Sequence, residues 1–64
     1  MNNDIAKLRG ARGWSQEELA VRLGVSRQTV SSLERGRYDP SLPLAFRIAR
    51  LFDCRIEDVF HPGE

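Results

Sequence analysis

The sequence predicts an all-α fold of five short helices, and three observations lead to this prediction. Apolar residues recur at spacings of three and four, which is the period of one face of a helix. Serines that can cap a helix precede three of these stretches, and glycines or prolines end most of them. No segment carries a convincing strand pattern.

The first two helices are predicted from their ends. Ile5 and Leu8 lie three apart on one face of helix 1, which Gly13 ends. Ser15 and Glu18 have the spacing of a capping box, in which each side chain accepts a hydrogen bond from the other residue's backbone N–H. The apolar residues of helix 2 are Leu19, Ala20 and Leu23, and Gly24 ends the helix in a left-handed conformation.

The remaining helices are predicted in the same way. Ser26 caps helix 3, which Gly36 ends, and Ser41 caps helix 4 after the turn at Pro40. Pro43 is tolerated in the first turn of helix 4. The apolar stripes are Val30 and Leu33 in helix 3, Leu44, Ala45, Ile48 and Leu51 in helix 4, and Ile56, Val59 and Phe60 in helix 5, before Pro62 and Gly63.

Length and composition limit the function classes. Sixty-four residues allow one domain over residues 1–64, with little room for an enzyme's closed pocket. The hydrophobic fraction of 41% is too high, and the net charge of +1 too small, for a disordered tail. No purely apolar run exceeds three residues, so we expect no membrane span. No separate domain for sensing a small molecule is expected either.

Cysteine and histidine usage indicates the compartment and argues against a metal site. The lone Cys54 cannot form an internal disulfide, and the N-terminus lacks the pattern of a signal peptide, so we expect a cytoplasmic protein. Cys54 is expected to fill space as a small, partly buried side chain. His61 is the only histidine and Cys54 alone does not supply the further ligands of a metal site, so the sequence predicts none. It shows no arrangement of nucleophile, base and orienting group, so we expect no catalytic residues and no cofactor.

The net charge hides an asymmetry along the chain. Residues 1–38 hold seven basic and four acidic side chains, which gives +3, and residues 39–64 hold three basic and five acidic ones, which gives −2. A basic first half is expected if one face meets a polyanion. Scatter over a solvated surface explains the count equally well.

The stretch from Gln16 to Arg35 carries the functional signal. Helices 2 and 3 are separated by so few residues that they must cross at a steep angle, as in a helix-turn-helix over about residues 16–35. Ala20 is small enough for the two helices to approach each other, and Gly24 allows a positive φ in the turn. Val30 and Leu33 fix helix 3 to the core and leave its opposite face exposed.

These residues resemble the lambda-repressor-like (Xre/Cro) helix-turn-helix family, and the match covers nearly the whole chain. The resemblance implies a compact five-helix domain that binds double-stranded DNA, usually as a homodimer on a two-fold-related operator. The matching segments are Ile5-x-x-Leu8-Arg9, Trp14-Ser15-Gln16-Glu17-Glu18-Leu19-Ala20, Leu23-Gly24-Val25-Ser26-Arg27-Gln28-Thr29-Val30, Leu33-Glu34-x-Gly36 and Pro40-Ser41.

The exposed side of helix 3 suits base recognition on chemical grounds. Arg27 can hold guanine O6 and N7 with two hydrogen bonds, and Gln28 can do the same for adenine N6 and N7. Ser32 stands one turn beyond Gln28 and can also reach a base edge. The alternative is that Arg27 and Gln28 are ordinary surface residues of a first turn.

The resemblance also implies phosphate contacts. Gln16, Thr29 and Arg37 occupy positions that hold the DNA backbone in the family. Tyr38 either contacts a phosphate through its hydroxyl or covers the loop, and Arg12 adds a longer-range charge. In the family, the positions of Arg9 and Glu34 form an ion pair that links helix 1 to helix 3.

The C-terminal third departs from the family pattern at two positions. Arg55 stands where a serine cap is common, so helix 5 is expected to be frayed, and Asp53 stands where glycine is frequent. This region is the candidate dimer interface. Its candidate residues, which have the alternative role of closing a small core, are Leu51, Phe52, Val59 and Phe60.

Two functions remain open from the sequence. The first is a sequence-specific transcriptional regulator, a repressor, that places helix 3 in the major groove of each half-site. The alternative is an antitoxin-like or polymerase-contacting module, in which the same fold binds a protein and DNA binding is secondary. Arg27, Gln28 and Arg37 suit DNA better than a dry protein interface.

Overall fold

The computed structural model describes residues 1–62, which form five α-helices and one short pair of strands. The predicted five-helix fold is therefore confirmed, while Gly63 lies outside the described residues. The elements in chain order are β1 Asn2–Asn3, α1 Ile5–Ala11, α2 Gln16–Leu23, α3 Arg27–Glu34, α4 Leu42–Leu51, α5 Ile56–Val59 and β2 Phe60–His61.

Three helices begin at the predicted serine caps. The hydroxyl oxygens of Ser15, Ser26 and Ser41 each accept a hydrogen bond from the backbone N–H three residues later, at 3.0, 3.1 and 3.3 Å. These bonds satisfy backbone donors that have no partner inside the helix. At α2 the predicted reciprocal half of the capping box is replaced, because the Glu18 carboxylate pairs with Arg22 at 3.1 Å.

The core lies where all five helices meet. Its innermost side chains come from every helix, which explains how so short a chain encloses a continuous apolar cluster. Among the described residues, all the buried side chains are hydrophobic. They are Ile5, Leu19, Ala20, Leu23, Val30, Leu33, Leu44, Ala45, Ile48, Ala49, Phe52, Val59 and Phe60.

The two short strands correct the prediction that no strand forms. Phe60, expected in helix 5, lies in β2, where it pairs antiparallel with Asn3 while His61 pairs with Asn2. His61 Nε2 also lies 3.0 Å from an Asp4 carboxylate oxygen. Strands of two residues are too short to show the alternation by which sequence reveals a strand. The pair joins the beginning of the chain to the end of α5.

The start of α5 has a substitute for the missing serine cap. The Asp58 carboxylate accepts a hydrogen bond of 3.0 Å from the Arg55 backbone N–H, and the Arg55 guanidinium lies 3.6 Å from the same carboxylate. The backbone hydrogen bond is the main reason that the pKa of Asp58 is lowered. Asp53, which stands where glycine is frequent in the family, adopts a left-handed conformation with φ 57°.

The lowered pKa of Asp58 predicts a pH-dependent contribution to stability. We expect Asp58→Asn to lower the melting temperature at neutral pH, where the carboxylate is ionised in the folded and unfolded chains. Because the folded-state pKa is the lower one, this contribution is present above the unfolded pKa and is lost as pH falls through the folded pKa. Thermal unfolding of both proteins between about pH 7 and pH 2 measures this. A difference in melting temperature that persists at the acid end would contradict the assignment.

Candidate nucleic-acid interface

The turn between α2 and α3 is held by hydrogen bonds on both sides. Gly24 has φ 74°, and the N–H groups of Gly24 and Val25 donate to the Ala20 carbonyl at 2.8 and 3.0 Å. This is the helix ending that a left-handed glycine allows. From α4, the Arg47 guanidinium donates to the Leu23 carbonyl at the same helix end. The turn is thereby fixed to α4 as well as to its own helices.

The two faces of α3 differ as the sequence predicts. Val30 and Leu33 are fully buried against the core, whereas Arg27 and Gln28 in the first turn are exposed. Ser32 is half-buried at the edge of the exposed face. Arg27 and Gln28 can therefore extend hydrogen-bonding groups into a groove without any change in the backbone.

The cap at the start of α3 uses two hydroxyl groups. The Ser26 and Thr29 hydroxyl oxygens lie 3.0 Å apart, so one donates to the other, while Ser26 also accepts the Thr29 backbone N–H. Thr29 is half-buried beside the exposed Arg27 and Gln28. A phosphate bound here would contact the Ser26 and Thr29 hydroxyls, whose orientations are restricted by the hydrogen bonds of the cap.

Arg9 and Glu34 form the predicted ion pair between α1 and α3. Arg9 donates to the Glu34 carboxylate through two nitrogens, at 2.7 and 3.3 Å, and to the Trp14 carbonyl at 2.9 Å. The hydrogen bond to Glu34 raises the pKa of Arg9 above its ordinary value. With only 8% of its side chain exposed, the Glu34 carboxylate is turned into the protein and away from solvent.

The sequence did not reveal that Gln16 joins this pair. Its side-chain amide donates to Glu34 at 2.9 Å, so Arg9, Glu34 and Gln16 form one chain of hydrogen bonds across α1, α3 and α2. An amide NH2 has two donors. With one N–H held by Glu34, the other is left for an acceptor outside the protein. The spacing of the three residues gave no signal of this contact.

Arg12 has partners of its own within the fold. Its guanidinium donates to the Leu51 and Phe52 carbonyls at 3.2 and 3.1 Å, at the end of α4. It also lies over the Trp14 and Phe52 rings, at 5.4 and 5.5 Å from their centroids. These contacts tie the end of α1 to the end of α4. Contact of Arg12 with a DNA phosphate remains a prediction that rests on its charge.

Arg37 and Tyr38 lie on the surface just after α3. Both are exposed, with 45% of Tyr38 accessible. The Arg37 backbone N–H donates to the Ser32 carbonyl at 3.1 Å, which fixes the main chain where it leaves the helix. Both side chains are therefore accessible to a partner, and the two roles of Tyr38, contact with a phosphate or cover of the loop, remain predictions.

The four residues suggested for a dimer interface lie mostly in the core. Phe52, Val59 and Phe60 are buried, and Leu51 is half-buried against them. This burial agrees with their alternative role, closing a small core. A part for them in a dimer interface remains a prediction, and the three buried side chains have little surface left for a second copy.

An exposed apolar pair on α4 was missed by sequence reasoning. Leu42 and Phe46 are 64% and 47% exposed and lie one turn apart. Next to Phe46 runs an open groove of about 470 Å³, whose other lining residues are Ala49, Arg50, Cys54, Arg55, Ile56 and Glu57. Burial raises the pKa of the Cys54 thiol at this groove above its ordinary value. The sequence does contain a signal for this exposed pair, since Leu42 and Phe46 are apolar, four positions apart, and outside the apolar stripe predicted for helix 4.

Metal-ligating clusters and membrane-spanning helices are both absent from the described residues. Within residues 1–62 no cluster of three or more His, Cys, Asp or Glu side chains could hold a metal ion. The same part of the chain has no helix that is both long and apolar enough to cross a membrane.

Comparisons with known proteins agree on one family. The family model described as Helix-turn-helix matches residues 5–59. An uncharacterized HTH-type transcriptional regulator of Methanocaldococcus jannaschii is 52% identical over 60 residues, which are 94% of this chain and 91% of that protein. One from Bacillus subtilis is 48% identical with the same two coverages. These relatives are named as transcriptional regulators and not as enzymes.

Two solved structures have the same fold. The restriction-modification controller protein C.AhdI from Aeromonas hydrophila matches with a TM-score of 0.77 and 36% identity, over 88% of this chain and 85% of that one. The hypothetical transcription factor NHTF from Neisseria matches with a TM-score of 0.78 and 33% identity. That match covers 86% of this chain, and this chain spans 62% of the length of the Neisseria chain.

Proposed function

The chain belongs to the lambda-repressor-like (Xre) helix-turn-helix family of transcriptional regulators, and we propose that it represses transcription by binding a two-fold-related DNA operator as a homodimer. The observation that carries the proposal is the division of α3 into a buried face and an exposed face that begins with Arg27 and Gln28. Helices of this kind enter the major groove by their N-terminal residues. A dimer bound over a promoter would exclude other proteins from it.

Base recognition is assigned to three side chains of α3. Arg27 and Gln28 would form bidentate hydrogen bonds to guanine and adenine, and Ser32 would add a single bond at the edge of the exposed face. Bidentate bonds of this kind distinguish all four base pairs in the major groove. These three residues therefore carry sequence preference in the proposal.

Backbone contacts would surround the reading helix, α3. Gln16 offers the N–H that Glu34 leaves unused, and Thr29 offers its hydroxyl at the cap. Arg37 and Tyr38 are exposed just beyond the other end of the helix. Arg12 would contribute mainly through its charge, since two of its five N–H donors already serve the end of α4. Contacts to phosphate set register and affinity without reading sequence.

The exposed Leu42 and Phe46 support the proposed dimer and suggest where it forms. The two side chains are more exposed than most large apolar residues of the described chain, and a second copy would remove them from water. Arg50, Arg55 and Glu57 line the neighbouring groove, so both signs of charge are present. In a two-fold interface, Glu57 of one copy can meet an arginine of the other, because the same patch faces itself.

Selection of bound sequences from random duplex DNA tests the proposal directly. The expected result is a palindromic motif whose half-sites are about one helical turn apart, ~34 Å centre to centre. Binding without any enriched sequence would contradict the base-reading role of α3. If the fold instead serves a protein partner, DNA affinity will be weak and will not fall steeply with salt, since few phosphate counterions are released.

Substitutions should separate base contacts from phosphate contacts. Gln28→Ala or Arg27→Ala is expected to cost about 1–3 kcal/mol on the selected operator and to relax preference at one position of each half-site. Arg37→Ala is expected to weaken operator and random DNA alike and to reduce the salt dependence. Binding isotherms at several salt concentrations measure both effects. Equal losses of Gln28→Ala on operator and random DNA would count against base reading.

A further inference from the structure

Asn3 connects parts of the fold that are distant in sequence. Its side-chain N–H donates to the Leu33 carbonyl at 2.8 Å, close to the end of α3. Its side-chain oxygen accepts the backbone N–H of Ile5 at 3.1 Å, at the start of α1. One half-buried amide thus ties the last turn of the reading helix to the first turn of α1.

The backbone around Asn3 is fixed to a third element. Asn3 pairs with Phe60 in the short sheet, and the N–H of the next residue, Asp4, donates to the Val59 carbonyl at 2.8 Å. Val59 and Phe60 are buried in the core at the end of α5. The position of the Asn3 side chain is therefore set by the C-terminal part of the domain and not only by its own short segment.

The end of α3 is closely covered by this segment. The Leu33 carbonyl accepts a second hydrogen bond from the Gly36 N–H at 3.0 Å, so Asn3 and Gly36 together use both of its lone pairs. A Cβ at Gly36 would lie 3.1 Å from the Met1 carbonyl oxygen. The chain that follows Gly36 leads directly to the exposed Arg37.

We propose that Asn3 is a positioning residue for DNA recognition, which holds the end of the reading helix at a fixed angle to α1 and to the C-terminal part of the domain. The proposal rests on the proposed DNA-binding function and assigns a specific role within it to a residue outside the helix-turn-helix. Asn3 does not touch DNA in this scheme. It acts through α3 and through the main chain at Gly36 and Arg37.

The geometry indicates which part of binding depends on Asn3. The eight residues of α3 span about 12 Å, so freedom at its far end tilts the turn that carries Arg27 and Gln28. Bidentate bonds to base edges tolerate little displacement, because hydrogen bonds weaken steeply as distance and angle depart from their optimum. Phosphate contacts made by long arginine side chains adapt more easily. Loosening the Asn3 anchor should therefore lower specificity more than overall attraction to DNA.

The substitution Asn3→Asp removes the hydrogen bond to the Leu33 carbonyl, together with a longer one of 3.3 Å from the same amide nitrogen to the Met1 carbonyl. It keeps the size of the side chain and the oxygen that accepts from Ile5, but it replaces the donor to Leu33 with an oxygen that repels the carbonyl. The matched control is Asn2→Asp, which makes the same change of charge at the neighbouring, exposed residue. Asn3→Ser, paired with Asn2→Ser, is a second test in which the side chain is too short to reach Leu33 and no charge is added.

We expect the ratio of operator affinity to random-DNA affinity to be lower in the Asn3 variants than in their Asn2 controls, by about fivefold or more. A factor of about five is the lower end of the coupling that is typical between separate sites. Random-DNA affinity should match within each pair. Binding is measured at a temperature at which circular dichroism shows every variant folded. Equal ratios in the Asn3 variants and their controls would overturn the positioning role.

A measurement without DNA separates this inference from the function on which it rests. The Gly36 and Arg37 amides, which donate to the Leu33 and Ser32 carbonyls, should exchange hydrogen faster in Asn3→Asp than in Asn2→Asp. The Ile48 amide in the core serves as the internal reference for global stability, and exchange at Gly36 and Arg37 should increase by more than exchange at Ile48. Unchanged exchange at Gly36 and Arg37 would overturn the anchor itself. If the wild-type protein shows no sequence preference, the proposed function fails and the positioning role fails with it, whatever the exchange result.

Discussion

The double substitution Leu42→Gln and Phe46→Gln is expected to make the protein monomeric and to lower operator affinity about 100-fold or more. Both side chains are largely exposed on α4, so their loss removes apolar surface from the proposed dimer contact without opening the core. Linked binding of two half-sites typically exceeds the affinity of one by 10²–10⁴. Sedimentation equilibrium measures the assembly state, and binding to full operators and half-sites measures the affinity.

The control for this pair is Val21→Gln on α2, where an apolar side chain is 76% exposed. It makes the same kind of replacement away from the proposed contact, so we expect it to leave the dimer intact. Val21→Gln should leave the melting temperature close to that of the wild type, and the double variant should lose only the stabilisation that assembly contributes. A wild-type protein that is monomeric at concentrations that saturate the operator would contradict the proposed dimer. So would a double variant that assembles as well as the wild type.

The second large effect is expected at Glu34. Glu34→Ala should lower the free energy of unfolding by about 2–3 kcal/mol, because it removes the acceptor of three hydrogen bonds from a nearly buried position. It leaves the half-buried Arg9 guanidinium with only the Trp14 carbonyl as a partner. It also frees the Gln16 side chain, which the proposal needs in a fixed orientation. Urea unfolding at neutral pH measures the change.

An exposed ion pair provides the comparison for Glu34. Glu18 pairs with Arg22 at a similar distance, but about half of each side chain is in water, so Glu18→Ala should cost only about 0.3–0.5 kcal/mol. Glu34→Gln, which keeps the shape and removes the charge, should fall between Glu34→Ala and the wild type. If Glu34→Gln leaves both stability and operator affinity unchanged, the ion pair does not orient α3.

The features that the sequence predicted correctly are mostly local. Ser15, Ser26 and Ser41 were identified as caps because a cap depends on two residues three apart. Val30 and Leu33 were placed inside because the period of one helix assigns its faces. The Arg9–Glu34 pair is different, since it joins residues 25 apart in the chain. Its prediction came from resemblance to a family and not from spacing.

The features that the sequence did not predict depend on how helices pack. Phe52, Val59 and Phe60 were equally suited to a core or an interface, and only the arrangement of α4 and α5 buries them. Leu42 and Phe46 remain outside for the same reason. The contacts of Gln16 with Glu34 and of Asn3 with Leu33 join residues at least 18 positions apart, and neither residue type signals its partner. The base and phosphate contacts remain predictions.

The contact between Arg47 and the Leu23 carbonyl has a consequence for the proposed operator. It fastens the turn before the reading helix to α4, the same ten-residue helix that carries Leu42 and Phe46. In the proposed dimer, α4 would then set the distance between the two reading helices, because one rigid helix carries both the dimer contact and the contact to the turn. An inserted base pair would move one half-site by about 3.4 Å and turn it by roughly 35°. A protein built in this way is suited to one spacing of half-sites and cannot bind operators whose half-sites are one base pair closer or farther apart.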